Sequence, residues 1–225
     1  MNVSAGRIWA GEGIGTAFLV MAVVGSGIMA ERLAGGNAAV ALLANSIATG
    51  AALLALILSC GPVSGAHFNP VVSLVEAAGG RMRWRTAAAY LAAQFSGAVF
   101  AVFVTHAMFG ERLVQFSGRA RSGPAQWLGE IVATFGLLWV IALCSARRAE
   151  AAACAVAAYI TAAYWFTSST SFANPAVTLA RALTDTFTGI RPEDVPGFIS
   201  AQLIGALGAA FLVRRLVRPG GDTSR

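Results

Sequence analysis

The residues in this chain best placed to do chemistry are two copies of one pair, Asn69-Pro70 and Asn174-Pro175. Asn before Pro is a helix-start signal: the Asn oxygen caps the first turn, and Pro fixes the first helical position. The Asn amide nitrogen then remains a donor for the oxygen of a passing molecule. The copies agree beyond the pair, with Val72 matching Val177, Ser73 matching Thr178 and Leu74 matching Leu179. Both helices must be short, because Gly79-Gly80-Arg81 closes the first and the stretch from Asp185 to Gly189 closes the second. Two helix N-termini that point at each other each present roughly half a positive charge. Such a pair repels cations and protons while the amides of Asn69 and Asn174 donate to neutral hydroxylated solutes.

The surroundings say where these half-helices lie. The 225 residues are 57% hydrophobic and 12% charged, with a mean hydropathy of +0.69, a balance that belongs in a bilayer. Six apolar stretches are long enough to cross it: Ile8 to Met29, Ala38 to Leu58, Thr86 to Met108, Ala125 to Leu143, Ala151 to Phe166 and Val195 to Val213. Cys60-Gly61-Pro62 is expected to break the second span. The first span is too long for a signal peptide core and lacks a clean cleavage site. Irregular backbone at membrane depth survives only where it is buried in protein or lines a cavity. Two such loops imply a watery path.

The spans form two matching triplets, residues 8–108 and 125–217, within one channel domain covering 1–225. Gly11-Glu12 with Thr16 returns as Gly129-Glu130 with Thr134, and Gln94 with Gly97-Ala98 returns as Gln202 with Gly205-Ala206. Three crossings per triplet force the second to insert upside down, so the fold class is all-α integral membrane, with an inverted 3+3 repeat and two re-entrant half-helices. Arginine placement predicts the orientation. With both termini cytoplasmic, Arg7, Arg81, Arg83, Arg85, Arg147, Arg148, Arg214, Arg215, Arg218 and Arg225 fall inside, while Glu31, Glu111, Asp185, Glu193 and Asp194 fall outside. The formal charge of +6 is thus a topology signal and not a nucleic-acid footprint. A lysine-free, alanine-rich chain fits a GC-rich bacterial genome, and hence a bacterial inner membrane.

Six spans, paired Asn-Pro half-helices, the run Ser64-Gly65-Ala66-His67-Phe68-Asn69-Pro70 and repeated Glu and Gln positions resemble the aquaporin, or major intrinsic protein, family. The resemblance runs from Glu12 to about Val213. It implies a passive channel, a homotetramer with one pore per subunit, and no cofactor. Two departures stand out: Val71 replaces the usual alanine in the first motif, whereas the second keeps Ala176, and Val177 occupies the place of the usual filter arginine. By spacing, the family's constriction also maps to Thr49, Ser171 and Ala162, the last with register alternatives at Thr161 and Ala163. Thr49, Ala162, Ser171 and Val177 would make a wide filter with no aromatic ring and no fixed charge. Through the run Tyr164 to Val177 the chain resembles the metalloid-permeable, arsenic-associated bacterial members. The expected solutes are water, glycerol-like polyols and neutral metalloid hydroxides such as arsenite.

Other residues carry narrower expectations. Arg181 lies one helical turn beyond Val177 and either charges the outer vestibule or pairs with Asp185. Glu12 and Glu130, acids inside spans, match the family's structural acids that accept hydrogen bonds from the half-helix loops; in the rival class, a proton-coupled inverted-repeat transporter, they would titrate. His67 is expected to brace the first loop, and His106 gives no site signal. Cys60, Cys144 and Cys154 imply no disulfide framework, and no spacing suggests a metal site. No nucleophile with a base and no phosphate loop supports an enzyme. A water-selective pore is the alternative within the family.

Overall fold

In the computed structural model, which describes residues 4–216, helices account for all regular structure among the described residues. The spans are α1 (Gly6–Leu33), α2 (Ala38–Ser64), α4 (Trp84–Phe109), α5 (Pro124–Arg147), α6 (Ala149–Phe166) and α8 (Val195–Leu216). The half-helices are α3 (Pro70–Ala78) and α7 (Pro175–Arg181). A π-helical turn at Trp9–Gly13 interrupts α1, and short 3-10 turns open α6 and α8. Arg218 and Arg225 lie outside the described residues.

Local chemistry explains the boundaries. Asn37 caps α2, its Oδ1 accepting from the Ala39 and Val40 amides at 3.1 and 3.2 Å. Pro124 opens α5, and Gly110, at φ +69°, closes α4. The expected break at Cys60-Gly61-Pro62 does not occur, because α2 runs on to Ser64. Pro62 sits in the last turn, where losing one N–H costs little, and the Gly65 amide still closes the turn on the Gly61 carbonyl at 2.9 Å. Gly65, at φ +90°, is the true stop. With 27 residues, α2 is about 40 Å long and spans a bilayer with some tilt.

The repeats pack as equivalents. In the first, α1 lies against α2 and α4; in the second, α5 lies against α6 and α8. Each half-helix packs on the last helix of both repeats. Gly97 permits the α4 backbone to meet the Gly13 carbonyl of α1, and Gly205 does the same for α8 at the Ile131 carbonyl of α5. A Cβ at either site would collide with backbone, so these small residues serve contacts within the subunit. Ile14, Phe18, Ile47, Phe100, Leu207 and Phe211 face outward and exposed, an apolar girdle suited to lipid.

The acidic end of the bundle is stapled by its loops. Segment 110–123 lies on segment 182–194 through Ser117 N to Ala182 O at 3.0 Å, Arg191 N to Arg119 O at 2.8 Å, Gly118 N to Asp185 Oδ1 at 2.9 Å and Arg121 N to Asp194 Oδ2 at 2.7 Å. Ion pairs Arg32–Glu111, Arg119–Glu31 and Arg191–Asp194 decorate this end. His106, without a sequence signal, is fully buried beneath the staple. Its Nδ1 donates to the Leu113 carbonyl at 3.1 Å, and its Nε2 meets the Thr184 hydroxyl at 2.9 Å.

Candidate functional site

The two Asn-Pro pairs meet and brace each other. Asn69 Oδ1 accepts from the Val71 amide at 3.1 Å, while its Nδ2 donates to the Ala173 carbonyl at 2.7 Å. Asn174 Oδ1 accepts from Ala176 and Val177 amides at 3.0 and 3.3 Å, and its Nδ2 donates to the Phe68 carbonyl at 2.8 Å. Each amide therefore spends one N–H on the opposite loop and keeps the other. Both Asn side chains line one cavity of about 620 Å³.

The loops entering the half-helices are bent against ordinary preference. Ala66 and Phe68 in the first, and Ser171 and Ala173 in the second, all have φ near +50°, at one and three residues before each Asn. Non-glycine residues in that region cost about 1–3 kcal/mol each and persist only when their surroundings hold them. Glu12 and Glu130 are what hold them. Glu12, fully buried, accepts from Ser64 Oγ at 2.6 Å, His67 N at 3.0 Å, Phe68 N at 2.7 Å and Gln94 Nε2 at 2.8 Å. Glu130 accepts from Phe172 N and Ala173 N, both at 2.8 Å, and from Gln202 Nε2 at 2.6 Å. The glutamines also donate to Ser73 and Thr178, one turn into each half-helix. His67 meets the Ser73 hydroxyl through Nδ1 at 3.0 Å and tilts against Tyr90 at 5.2 Å.

The cavity runs from Arg81 and Arg214 at one mouth, along Val23, Leu53, Leu137 and Ile141, past the Asn pair to Thr49, Tyr164 and Arg181. Thr49, Ser171 and Val177 all line it. Ala162 does not; it is exposed on the far side of α6. The face of α6 on the cavity is set by Ala152, Val156, Ile160 and Tyr164, one turn apart, and position 162 sits half a turn away from it. The register alternatives Thr161 and Ala163 do not line the cavity either, Thr161 packing at Gly50. Tyr164 therefore takes the wall, its hydroxyl 3.2 Å from Thr49 Oγ1. Phe172 also borders the cavity, so this stretch of wall carries aromatic residues where the spacing argument made it bare.

A charge is also present. Position 177 is valine, but Arg181 lines the cavity from the next turn while only 2% exposed. Its guanidinium stacks on Phe172, with Cζ 3.3 Å from the ring centroid, and Nε donates to the Thr188 carbonyl. The expected pair with Asp185 is absent: α7 ends at Arg181, and the turning chain carries Asp185 outward to the Gly118 amide. Arg121, from segment 110–123, reaches the same ring at 5.2 Å and donates Nε to the Gly189 carbonyl at 2.8 Å. Burial, with Arg119 adding to it, pushes the Arg121 guanidinium down to about 10.

Val71 is fully buried with Val72, Leu138, Ala206 and Ala209. Its extra bulk goes into packing and away from the cavity. Ala176 is likewise buried. Cys60 is half-buried beside the core, with Ser59 Oγ at 3.8 Å from its Sγ. No cluster of three or more His, Cys, Asp and Glu side chains suited to a metal exists among the described residues.

Known proteins resemble this chain in sequence and in fold. The family model for major intrinsic proteins matches residues 2–166 and 143–224. Aquaglyceroporin AqpS of Rhizobium meliloti (strain 1021) is 54% identical over 208 residues, 92% of this chain and 89% of that protein. Aquaporin NIP1-3 of Oryza sativa subsp. japonica is 34% identical over 208 residues, 89% of this chain and 70% of that protein. The X-ray structure of the aquaglyceroporin from Plasmodium falciparum superposes with a TM-score of 0.75 over 96% of this chain and 98% of that one; at 20% identity it speaks to the fold alone. Matched by the family model along nearly all its length, and by a relative more than half identical over most of it, the chain belongs to the major intrinsic protein family of membrane channels.

Proposed function

We propose that this chain is a passive channel for water, glycerol-like polyols and neutral metalloid hydroxides such as arsenite. The observation that carries the reading is one cavity that passes both Asn-capped N-termini and continues to Thr49, Tyr164, Ser171 and Val177, with valine and not arginine at position 177. Its apolar wall of Val23, Leu53, Leu137 and Ile141 suits the carbon side of a polyol, and the Asn amides supply donors for its hydroxyls. Arsenite at neutral pH is a small uncharged trihydroxide of the same kind. The similarity to an aquaglyceroporin at 54% identity supports the polyol reading. Glu12 and Glu130 are committed to backbone amides, which favours a channel over a proton-coupled carrier.

The filter in this reading is Thr49, Ser171, Val177 and Tyr164, with Tyr164 in place of Ala162. Protomers assemble as homotetramers with a pore in each, and both termini face the cytoplasm, as the arginine distribution supports. Stopped-flow light scattering on proteoliposomes tests the function. The native chain is expected to pass glycerol and arsenite without saturation or a proton gradient. Val177→Arg, placing bulk beside Arg181, is expected to cut both by about tenfold, or roughly 1.4 kcal/mol of added barrier, with less effect on water. If the native chain passes water alone, the polyol and metalloid reading fails.

A further inference from the structure

Arg181 carries a charge that no carboxylate pairs with among the described residues. It is 2% exposed, makes no ion pair among the described residues, and spends only Nε on a protein acceptor, the Thr188 carbonyl. The buried carboxylate of the same repeat, Glu130, is occupied by the Phe172 and Ala173 amides and by Gln202. The terminal nitrogens of Arg181 have no protein acceptor among the described residues, and the side chain borders the cavity. Arg121 brings a second guanidinium to the Phe172 ring. Asp194 accepts the Arg121 backbone amide, but its carboxylate is paired with Arg191. A buried cation without a partner is costly, and two around one ring more so. Ser171 Oγ, 3% exposed and also on the cavity wall, has no hydrogen-bond partner either.

We propose that the outer end of the pore is a binding site for a small monovalent oxyanion, held by Ser171 and by Arg181, itself stacked on the Phe172 ring, and that its occupancy blocks solute passage. The proposal rests on the cavity being the transport path. The ligand class follows from the donors. The two terminal nitrogens of a guanidinium form a fork that matches two oxygens of a planar carboxylate- or nitrate-like anion, and the Ser171 hydroxyl supplies a further donor. The Arg121 charge draws the anion in from outside. Blocking follows from what lies beyond. Past the Asn pair the wall is Val23, Leu53, Leu137 and Ile141, which offers an anion nothing to replace its water, so it stops where its donors are. A neutral polyol, with less hydration to lose, continues.

Nitrate is the probe, because it has no neutral form that leaks through lipid at working pH. Glycerol flux into proteoliposomes is titrated with external sodium nitrate, with sodium gluconate at matched osmolality as the oversized control, and each variant is normalised to its own nitrate-free flux. Nitrate is expected to inhibit the native chain progressively, gluconate to leave it unchanged, and Arg181→Gln to weaken nitrate inhibition by about tenfold or more. Arg121→Gln, off the cavity wall, is expected to weaken it severalfold, and stands as the second variant should Arg181→Gln fail to fold. Nitrate without effect on the native chain, or acting equally on native and both variants, overturns the site. Binding is also read without flux, from the thermal midpoint of the detergent-solubilised protein, which nitrate is expected to raise in the native chain relative to Arg181→Gln. A nitrate shift in a chain that passes no glycerol would overturn the transport reading and leave the site standing.

Discussion

Glu12 and Glu130 do at residue scale what secondary structure does elsewhere: they give acceptors to backbone N–H groups in loops that no ladder can serve. Hydrogen bonds to a charged acceptor contribute about 1.5–3 kcal/mol each. Glu12 takes two from backbone amides, besides Ser64 and Gln94. Replacing it by Gln removes the charge and puts an NH2 group against donors. Glu12→Gln is therefore expected to destabilise the protein by about 3–5 kcal/mol, seen as a lower thermal midpoint in detergent, together with lost glycerol flux. Were the residue a proton-coupling group, Gln would instead leave the midpoint near native and abolish only gradient-dependent uptake. Sequence alone left Glu12 and Glu130 open between titrating groups and structural acceptors, and only the family resemblance favoured the second. Arg181 was only half legible: its one-turn offset from Val177 placed it toward the outer mouth, but the choice between cavity and Asp185 depended on where α7 stopped.

Among elements, the decisive quantity is helix rotation, and this is what the sequence withheld. Asn-Pro announces α3 and α7 because the capping side chain itself causes the helix to start. The face that α6 turns to the cavity has no such local cause; it follows from packing on α2, where Thr49 meets Tyr164 and Trp165 Nε1 donates to Ser46 Oγ at 3.1 Å. Counting back from Asn174 passes through a loop containing Thr170, Ser171 and Ala173, all at positive φ without a glycine to signal it. The turn of that loop could not be read from residue types. The close α5–α8 and α1–α4 approaches fall at Gly205 and Gly97, which the sequence offered only as matching places in the two repeats. Gly205→Leu is expected to force the α5–α8 contact apart at the Ile131 carbonyl, costing about 1–3 kcal/mol or more. Gly208→Leu, whose Cβ would meet only the Phe135 ring at 3.5 Å, is expected to cost clearly less in the same thermal assay.

Taken whole, the molecule is a lipid-facing barrel of helices whose acidic end is bound by loop-to-loop contacts around Asp194. Burial pushes the Asp194 carboxyl upward, but the Arg191 guanidinium and the Arg121 amide outweigh it and hold the group below its ordinary value of 3.8. A carboxyl held low in the folded state adds stability that is fully present above the unfolded value, near 3.9, and lost as pH falls through the folded one. Asp194→Asn is thus expected to lower the thermal midpoint at pH near 7, and the gap between variant and native to close as the pH is taken below about 4. A gap that persists unchanged at low pH would mean that the carboxylate charge contributes nothing there.

The reciprocal bonds from Asn69 to the Ala173 carbonyl and from Asn174 to the Phe68 carbonyl have a bearing on biogenesis. The first repeat leaves the ribosome with a pore loop whose last acceptor, and whose last donor, are more than a hundred residues away in sequence. Until the second repeat inserts with opposite orientation, that loop has its glutamate but not its mate, and neither half alone is a conduit. Chain halves cut in segment 110–123 and made together would have to find each other before either loop could settle, so assembly of the two halves and opening of the pore are the same event.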